Sequence, residues 1–146
     1  MELAIVDDET MEFCYECLFE LRGDVKYGLQ DFEKYVQTNL NASLASKLYV
    51  GFDQNKPVGI LTVNQFQIPR YLGYGYELEE VVVQPDYQMR GYGKKLVEAF
   101  LERVEDEPDL RKVIVKTDDD ERAGRLYKHF FEVVDTTTYS RTINYL

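Results

Sequence analysis

Glu79-Glu80-Val81-Val82-Val83-Gln84-Pro85-Asp86-Tyr87-Gln88-Met89-Arg90-Gly91-Tyr92-Gly93-Lys94-Lys95-Leu96 carries a strand, a glycine loop and the first turn of a helix without interruption. The continuous run Val81-Val82-Val83 predicts a central strand buried on both faces. Gly91 and Gly93 let the backbone approach a ligand closely, and the helix that follows offers bare N–H groups and a positive dipole end. Such a loop suits phosphate, and Arg90, Lys94 and Lys95 add positive charge inside an otherwise acidic chain. The spacing Gln88-x-x-Gly91-x-Gly93 lacks the Gly-Lys-Ser/Thr ending of a Walker loop and the third glycine of a dinucleotide fingerprint.

Outward from this stretch the pattern alternates between strand and helix. Leu3 to Val6 reads as a short strand, and Asp7-Asp8 suits the positive end of a following helix. Met11, Cys14, Leu18 and Leu21 recur at helical spacing up to Gly23. Asp31 is predicted to cap a second helix with Phe32, Tyr35, Val36 and Leu40 on one face. Leu48 to Phe52 and Val58 to Phe66 alternate as strands joined by a turn at Asp53-Gln54-Asn55-Lys56, a hairpin. Residues 67 to 75, with Pro69, Gly73 and Gly75, read as a loop, and Tyr76 to Val83 as the next strand. Leu96, Val97, Phe100, Leu101 and Val104 form the stripe of a helix that stops at Pro108. Lys112 to Thr117 reads as a strand, residues 118 to 130 as a helix, and residues 131 to 146 have the length for two closing strands. The order β-α-α-β-β-β-α-β-α-β-β is a mixed α/β sheet with helices on both faces.

The chain has 146 residues, the size of one domain with a substantial core, and 1–146 is read as a single domain. Its formal charge of −10 disfavours nucleic acid and anionic membrane surfaces and suits a cationic partner such as an amine. No apolar run approaches a membrane span and the N-terminus lacks a signal-peptide layout, so a cytoplasmic address is expected. Cys14 and Cys17 fall inside a helix with no second Cys/His pair, which favours reduced, partly buried thiols over a metal or redox motif. Asp118-Asp119-Asp120-Glu121 lacks the spaced ligands and central glycine of a calcium loop, and no metal is expected.

The stretch from Glu79 to Leu96 resembles the acetyl-coenzyme A motif of the GCN5-related N-acetyltransferases, including the Val-x-Pro-x-Tyr approach to Gln88. Asp120-Glu121-Arg122-Ala123-Gly124-Arg125-Leu126-Tyr127-Lys128-His129-Phe130-Phe131 is similar to that family's second motif. It departs at Asp120, where asparagine is usual, and by a missing glycine between Phe130 and Phe131. The first departure bears on one cofactor contact, the second on a helix-to-strand corner.

The resemblance implies a GNAT-like fold with acetyl-coenzyme A as co-substrate and no metal. It places backbone contacts to the pantetheine arm at Val81 and Val83. Pyrophosphate contacts fall to Gln88, Met89, Arg90, Gly91, Tyr92, Gly93 and Lys94. Tyr127 stands where a general acid is often found, and an acid at the position of Glu79 often serves as base. Strand alternation puts Glu77 on the same face as Glu79, with Glu80 opposite unless a bulge intervenes. Glu77 and Tyr27 are candidate acceptor-binding residues. These acids can equally be sheet-surface charges.

The implied activity is direct acetyl transfer to a primary amine on a small molecule, amino sugar or peptide, with homodimers common in the family. A non-catalytic coenzyme A sensor of the same fold and a nucleotide-binding protein are the competing readings.

Overall fold

The computed structural model describes residues 1–21, 23, 26–117, 119 and 121–143. Five strands form one sheet in sequence order: β1 (Glu2–Ile5), β2 (Ser46–Asp53), β3 (Lys56–Ile68), β4 (Gly73–Val83) and β5 (Leu110–Val115). The first four pair antiparallel, whereas β5 runs parallel to β4. That last connection carries a crossover helix, as a parallel neighbour requires.

Helices cover both faces. On one lie α1 (Met11–Leu21) and α2 (Leu29–Tyr35), the latter continued by a wider π turn over Val36–Leu40. Cys14, Cys17, Phe32 and Val36 pack there against Leu48, Val50, Ile60 and Val82. On the other face α3 (Tyr92–Val104) buries Leu96, Val97, Phe100 and Val104 against Leu61, Val63 and Leu78. Helix α3 sits close to the sheet because Gly59 has no side chain. A Cβ there would lie 2.5 Å from Val82 O and 2.9 Å from Leu96 Cδ1.

Helix starts follow local chemistry. Thr10 N–H donates to Asp7 Oδ1 and Asp7 N–H to Thr10 Oγ1, each at 3.0 Å, which closes the turn ahead of α1. Asp31 is not the cap of α2. Gly28 holds that position, and Asp31, three residues on, reaches back to accept the Gly28 N–H at 3.3 Å.

Three expectations change. Residues 67 to 75 are not an open loop: β3 runs on to Ile68, a single 3₁₀ turn covers Pro69–Tyr71, and β4 begins at Gly73. Gly75 is a strand glycine whose missing side chain makes room for the Phe66 ring, 2.5 Å from where its Cβ would be. The last helix, α4, spans only Ala123–Tyr127, with Asp118 and Asp120 outside the described residues. Residues 131 to 143 form no strand, so the two closing strands are absent among the described residues. Val133, Val134, Tyr139 and Ile143 are exposed, so this segment gains no apolar burial to offset the entropy of ordering a strand.

Candidate active site

The register of β3 against β4 slips once. Thr62 pairs with Glu80 and Val63 with Leu78, leaving Glu79 as the extra residue of a β-bulge. The bulge reverses the alternation of side chains. Tyr76 and Leu78 before it, and Val81 and Val83 after it, all join the α3 face. Glu79 and Glu80 are thereby brought to the opposite face together, where both line one cavity of about 750 Å³. Thr62, Asn64 and Leu48 complete its sheet side, while Leu18, Tyr27, Asp31, Phe32, Tyr35 and Leu40 close it from the helices.

The same place marks the end of β4–β5 pairing, which stops at Leu78 opposite Val115. From Glu79 to Val83 that edge of β4 has no strand beside it among the described residues. Gln84 donates its N–H to Val58 O at 2.9 Å, toward β3. Since successive residues direct their main-chain groups to opposite edges, Val81 and Val83 turn N–H and C=O to the open side.

The glycine loop lies at the end of this edge. Met89 and Gly91 adopt left-handed backbone, φ 63° and 80°, and Gly91 caps α3 without a side chain. Helical geometry leaves the amides of Tyr92, Gly93 and Lys94 without an intrahelical acceptor, and the first closed turn is Lys95 N–H to Gly91 O at 3.2 Å. A Cβ on Gly91 would meet nothing within 4 Å, so the loop is open at that residue. Tyr87 and Tyr92 meet edge to face, and the Tyr92 hydroxyl donates to Asp53 Oδ2 at 2.6 Å, which ties the loop to β2. Arg90 lies over the Tyr87 ring and Lys95 over that of Tyr92. Gln88 donates through Nε2 to Val83 O at 3.0 Å, so its side chain fastens the loop to the strand.

The predicted residues fall in separate places: the cavity, the glycine loop and the α3 side of the sheet. Glu79 and Tyr27 share the cavity, but Glu77 is not among its lining residues and pairs with Lys116 at 3.3 Å. Tyr127 packs in the cluster that holds Val81, Val83 and Leu126, with its ring against Phe131. Burial pushes its phenol pKa up, so it stays protonated. Leu126 also lies near the loop, 3.4 Å from a Cβ on Gly93, which brings α4 to the head of α3. Cys14 and Cys17 are fully buried, more so than expected, and Cys17 is pushed up to about 12 by burial and by Glu16 and Glu20. Neither lines the cavity.

Thr62 and Asn64 escaped sequence reasoning. The signal was available: Val58 and Ile60 are buried, and the same alternation along β3 then places Thr62 and Asn64, two polar residues, on that inner face. Thr62 Oγ1 is buried with no hydrogen-bond partner among the described residues.

Among the described residues no group of His, Cys, Asp and Glu is arranged to hold a metal ion, and no helix is long and apolar enough to cross a membrane.

Comparison with known proteins places this geometry. No curated protein matches the sequence. A putative acetyltransferase from Agrobacterium tumefaciens str. C58 superposes with a TM-score of 0.83 at 19% identity, covering 98% of this chain and 100% of the other. The ribosomal-protein-alanine N-acetyltransferase of Brucella melitensis biovar Abortus 2308 gives 0.77 at 17% identity, over 97% and 98% of the two chains. An aminoglycoside acetyltransferase from an uncultured soil metagenomic sample, solved with sisomicin, gives 0.68 at 19% identity, over 97% and 96%. These likenesses show the fold. Residues 9–131 match the acetyltransferase (GNAT) family, and the chain therefore belongs to that family of acetyl-coenzyme A-dependent enzymes.

Proposed function

We propose that this enzyme transfers the acetyl group of acetyl-coenzyme A directly to a primary amine, both substrates bound at once. The observation that carries the reading is the bulge at Glu79. It sets a carboxylate into the cavity at the point where the β4 edge opens toward the glycine loop. The start of α3, which no side chain caps, fits a diphosphate, and the outward N–H groups of Val81 and Val83 fit an extended amide-bearing arm.

An alkyl ammonium has a pKa of about 10.4 and cannot attack until it loses a proton. Glu79 accepts that proton, directly or through one water. The nitrogen–carbon bond forms, the carbon–sulfur bond breaks with its electron pair on sulfur, Tyr127 protonates the departing thiolate, and the second proton of the attacking nitrogen passes through solvent to restore the phenol as the amide forms. Negative charge on the carbonyl oxygen is met by the Val81 N–H, a donor held in place by the β3–β4 ladder. No acyl-enzyme is formed, since Cys14 and Cys17 are buried outside the cavity and their raised pKa values keep them as thiols. Two unpaired thiols suit a reducing, cytoplasmic compartment.

The test is thiol release from acetyl-coenzyme A against a mixed amine panel, with calorimetry of cofactor binding alongside. Binding with amine-dependent release is expected. Binding without release for any amine would make the protein a coenzyme A sensor, and no binding would remove the reading altogether.

A further inference from the structure

The acceptor cavity is charged in one sense only. Three carboxylates, Asp31, Glu79 and Glu80, line it, and no Lys or Arg does among the described residues. The only ion pairs among those residues are Arg111 with Asp109 and Lys116 with Glu77, so neither Asp31 nor Glu79 has a cationic partner there. Around the acids the surface is apolar and aromatic, with Leu18, Phe32, Leu40 and Leu48 beside the rings of Tyr27 and Tyr35. Aromatic faces attract cations and tolerate methylene chains. The volume, about 750 Å³, is that of a site for an extended molecule and far exceeds a simple alkylamine.

Two further features belong to the sheet and helix sides of this cavity. Thr62 Oγ1, opposite Glu80 in register, is buried with no hydrogen-bond partner among the described residues. Tyr27 is held protonated by burial and by the charge of Glu80, so its hydroxyl is present as a donor beside that carboxylate.

One carboxylate suffices to deprotonate one amine. Building on the transferase reading above, we propose that the acceptor is an oligoamine, with at least two ammonium groups joined by an apolar linker. One amine meets Glu79 and reacts, and the second remains charged beside Asp31. Acetylation removes only the reacting charge, so the product loses one of two anchors and leaves. Acceptors bearing a carboxylate or phosphate are repelled by the same acids.

The experiment compares hexamethylenediamine, hexylamine and aminocaproate, which share one chain length and differ in the far group: ammonium, methyl or carboxylate. Thiol release by the wild-type enzyme is expected to give kcat/KM falling in that order, on the order of tenfold per step, because each step removes or reverses one partly desolvated charge contact. Asp31→Asn is expected to lower the diamine value more than the hexylamine value and so shrink their ratio. Added salt shrinks the same ratio in the wild type. Equal kcat/KM for diamine and monoamine, or a preference for aminocaproate, overturns the proposal while leaving the transferase reading intact. Failure of every amine to release thiol removes both.

Discussion

Asn64 Nδ2 donates to Glu79 Oε2 at 3.4 Å, and Asn64 Oδ1 accepts the Ser46 hydroxyl at 2.7 Å. The Glu79 carboxylate can only accept, so the amide turns its N–H end to it and leaves its oxygen to take the Ser46 hydroxyl's proton. Three strands thereby contribute one side chain each to a chain of hydrogen bonds that ends on the proposed base. Glu79 is otherwise solvent-exposed, and among the described residues this is its only side-chain hydrogen bond.

Glu79→Gln keeps the shape and removes the proton acceptor. The expected result is a fall in kcat of about 10²- to 10⁴-fold with acetyl-coenzyme A binding retained, read by steady-state kinetics and calorimetry. Asn64→Leu is expected to lower kcat on the order of tenfold by freeing the carboxylate, and Ser46→Ala less, in the same direction. An Asn64→Leu variant with wild-type kcat would show that the bond does not position Glu79.

Tyr127→Phe removes a hydroxyl from an apolar cluster. It is expected to cost about 10- to 100-fold in kcat, with little change in melting temperature or cofactor affinity. Because burial raises the Tyr127 pKa, the hydroxyl keeps its proton beyond the ordinary tyrosine value of about 10. The pH–rate profiles of wild type and Tyr127→Phe should therefore have the same shape below that pH. A wild-type alkaline limb that vanishes in the variant would contradict this.

The stretch from Val81 to Val104 was legible because strand, loop and helix are specified by neighbours in sequence. That Glu80 joins Glu79 on one face was not, since it depends on one extra residue measured against β3, and a slip of one position reverses every side chain after it. Gly73 and Gly75 imitated a loop for a related reason: what they accommodate is Phe66 in one case and, in the other, the Asp109 carbonyl, both remote in sequence. Thr62 and Asn64 belong to no motif and became visible only when the sheet placed them beside Glu79 and Glu80. The C-terminal residues have the β-branched composition of strands, but composition cannot supply a pairing partner.

Glu107 receives two phenols, accepting from the Tyr76 hydroxyl at 3.0 Å and from Tyr74. Burial and then this bond raise the Tyr76 pKa, and the bond to Glu107 is the main cause for Tyr74. The folded state thus holds protons that the unfolded chain releases near pH 10. Their contribution to stability is complete below that pH and is lost as the pH rises toward the folded values. Urea melts at rising alkaline pH should show stability declining from about pH 10, and Tyr76→Phe should be less stable at neutral pH yet decline less steeply. An equal alkaline slope in that variant would assign the loss to other groups.

Two glycines separate binding from folding. Gly91 has φ 80° and open space where its Cβ would be, so Gly91→Ala costs only the left-handed strain, about 1–2 kcal/mol, and leaves the fold in place. A Cβ disfavours the left-handed turn that presents the α3 amides, and acetyl-coenzyme A affinity is expected to fall roughly tenfold, a loss of about 1.4 kcal/mol. Gly59→Ala instead drives a Cβ to 2.5 Å from Val82 O, with backbone that cannot yield between β3 and β4. That variant should lose stability before it loses affinity, with a lowered melting temperature and near-normal binding in whatever fraction folds. Comparable affinity losses at equal stability in the two variants would mean that the amides behind Gly91 are not where the diphosphate rests.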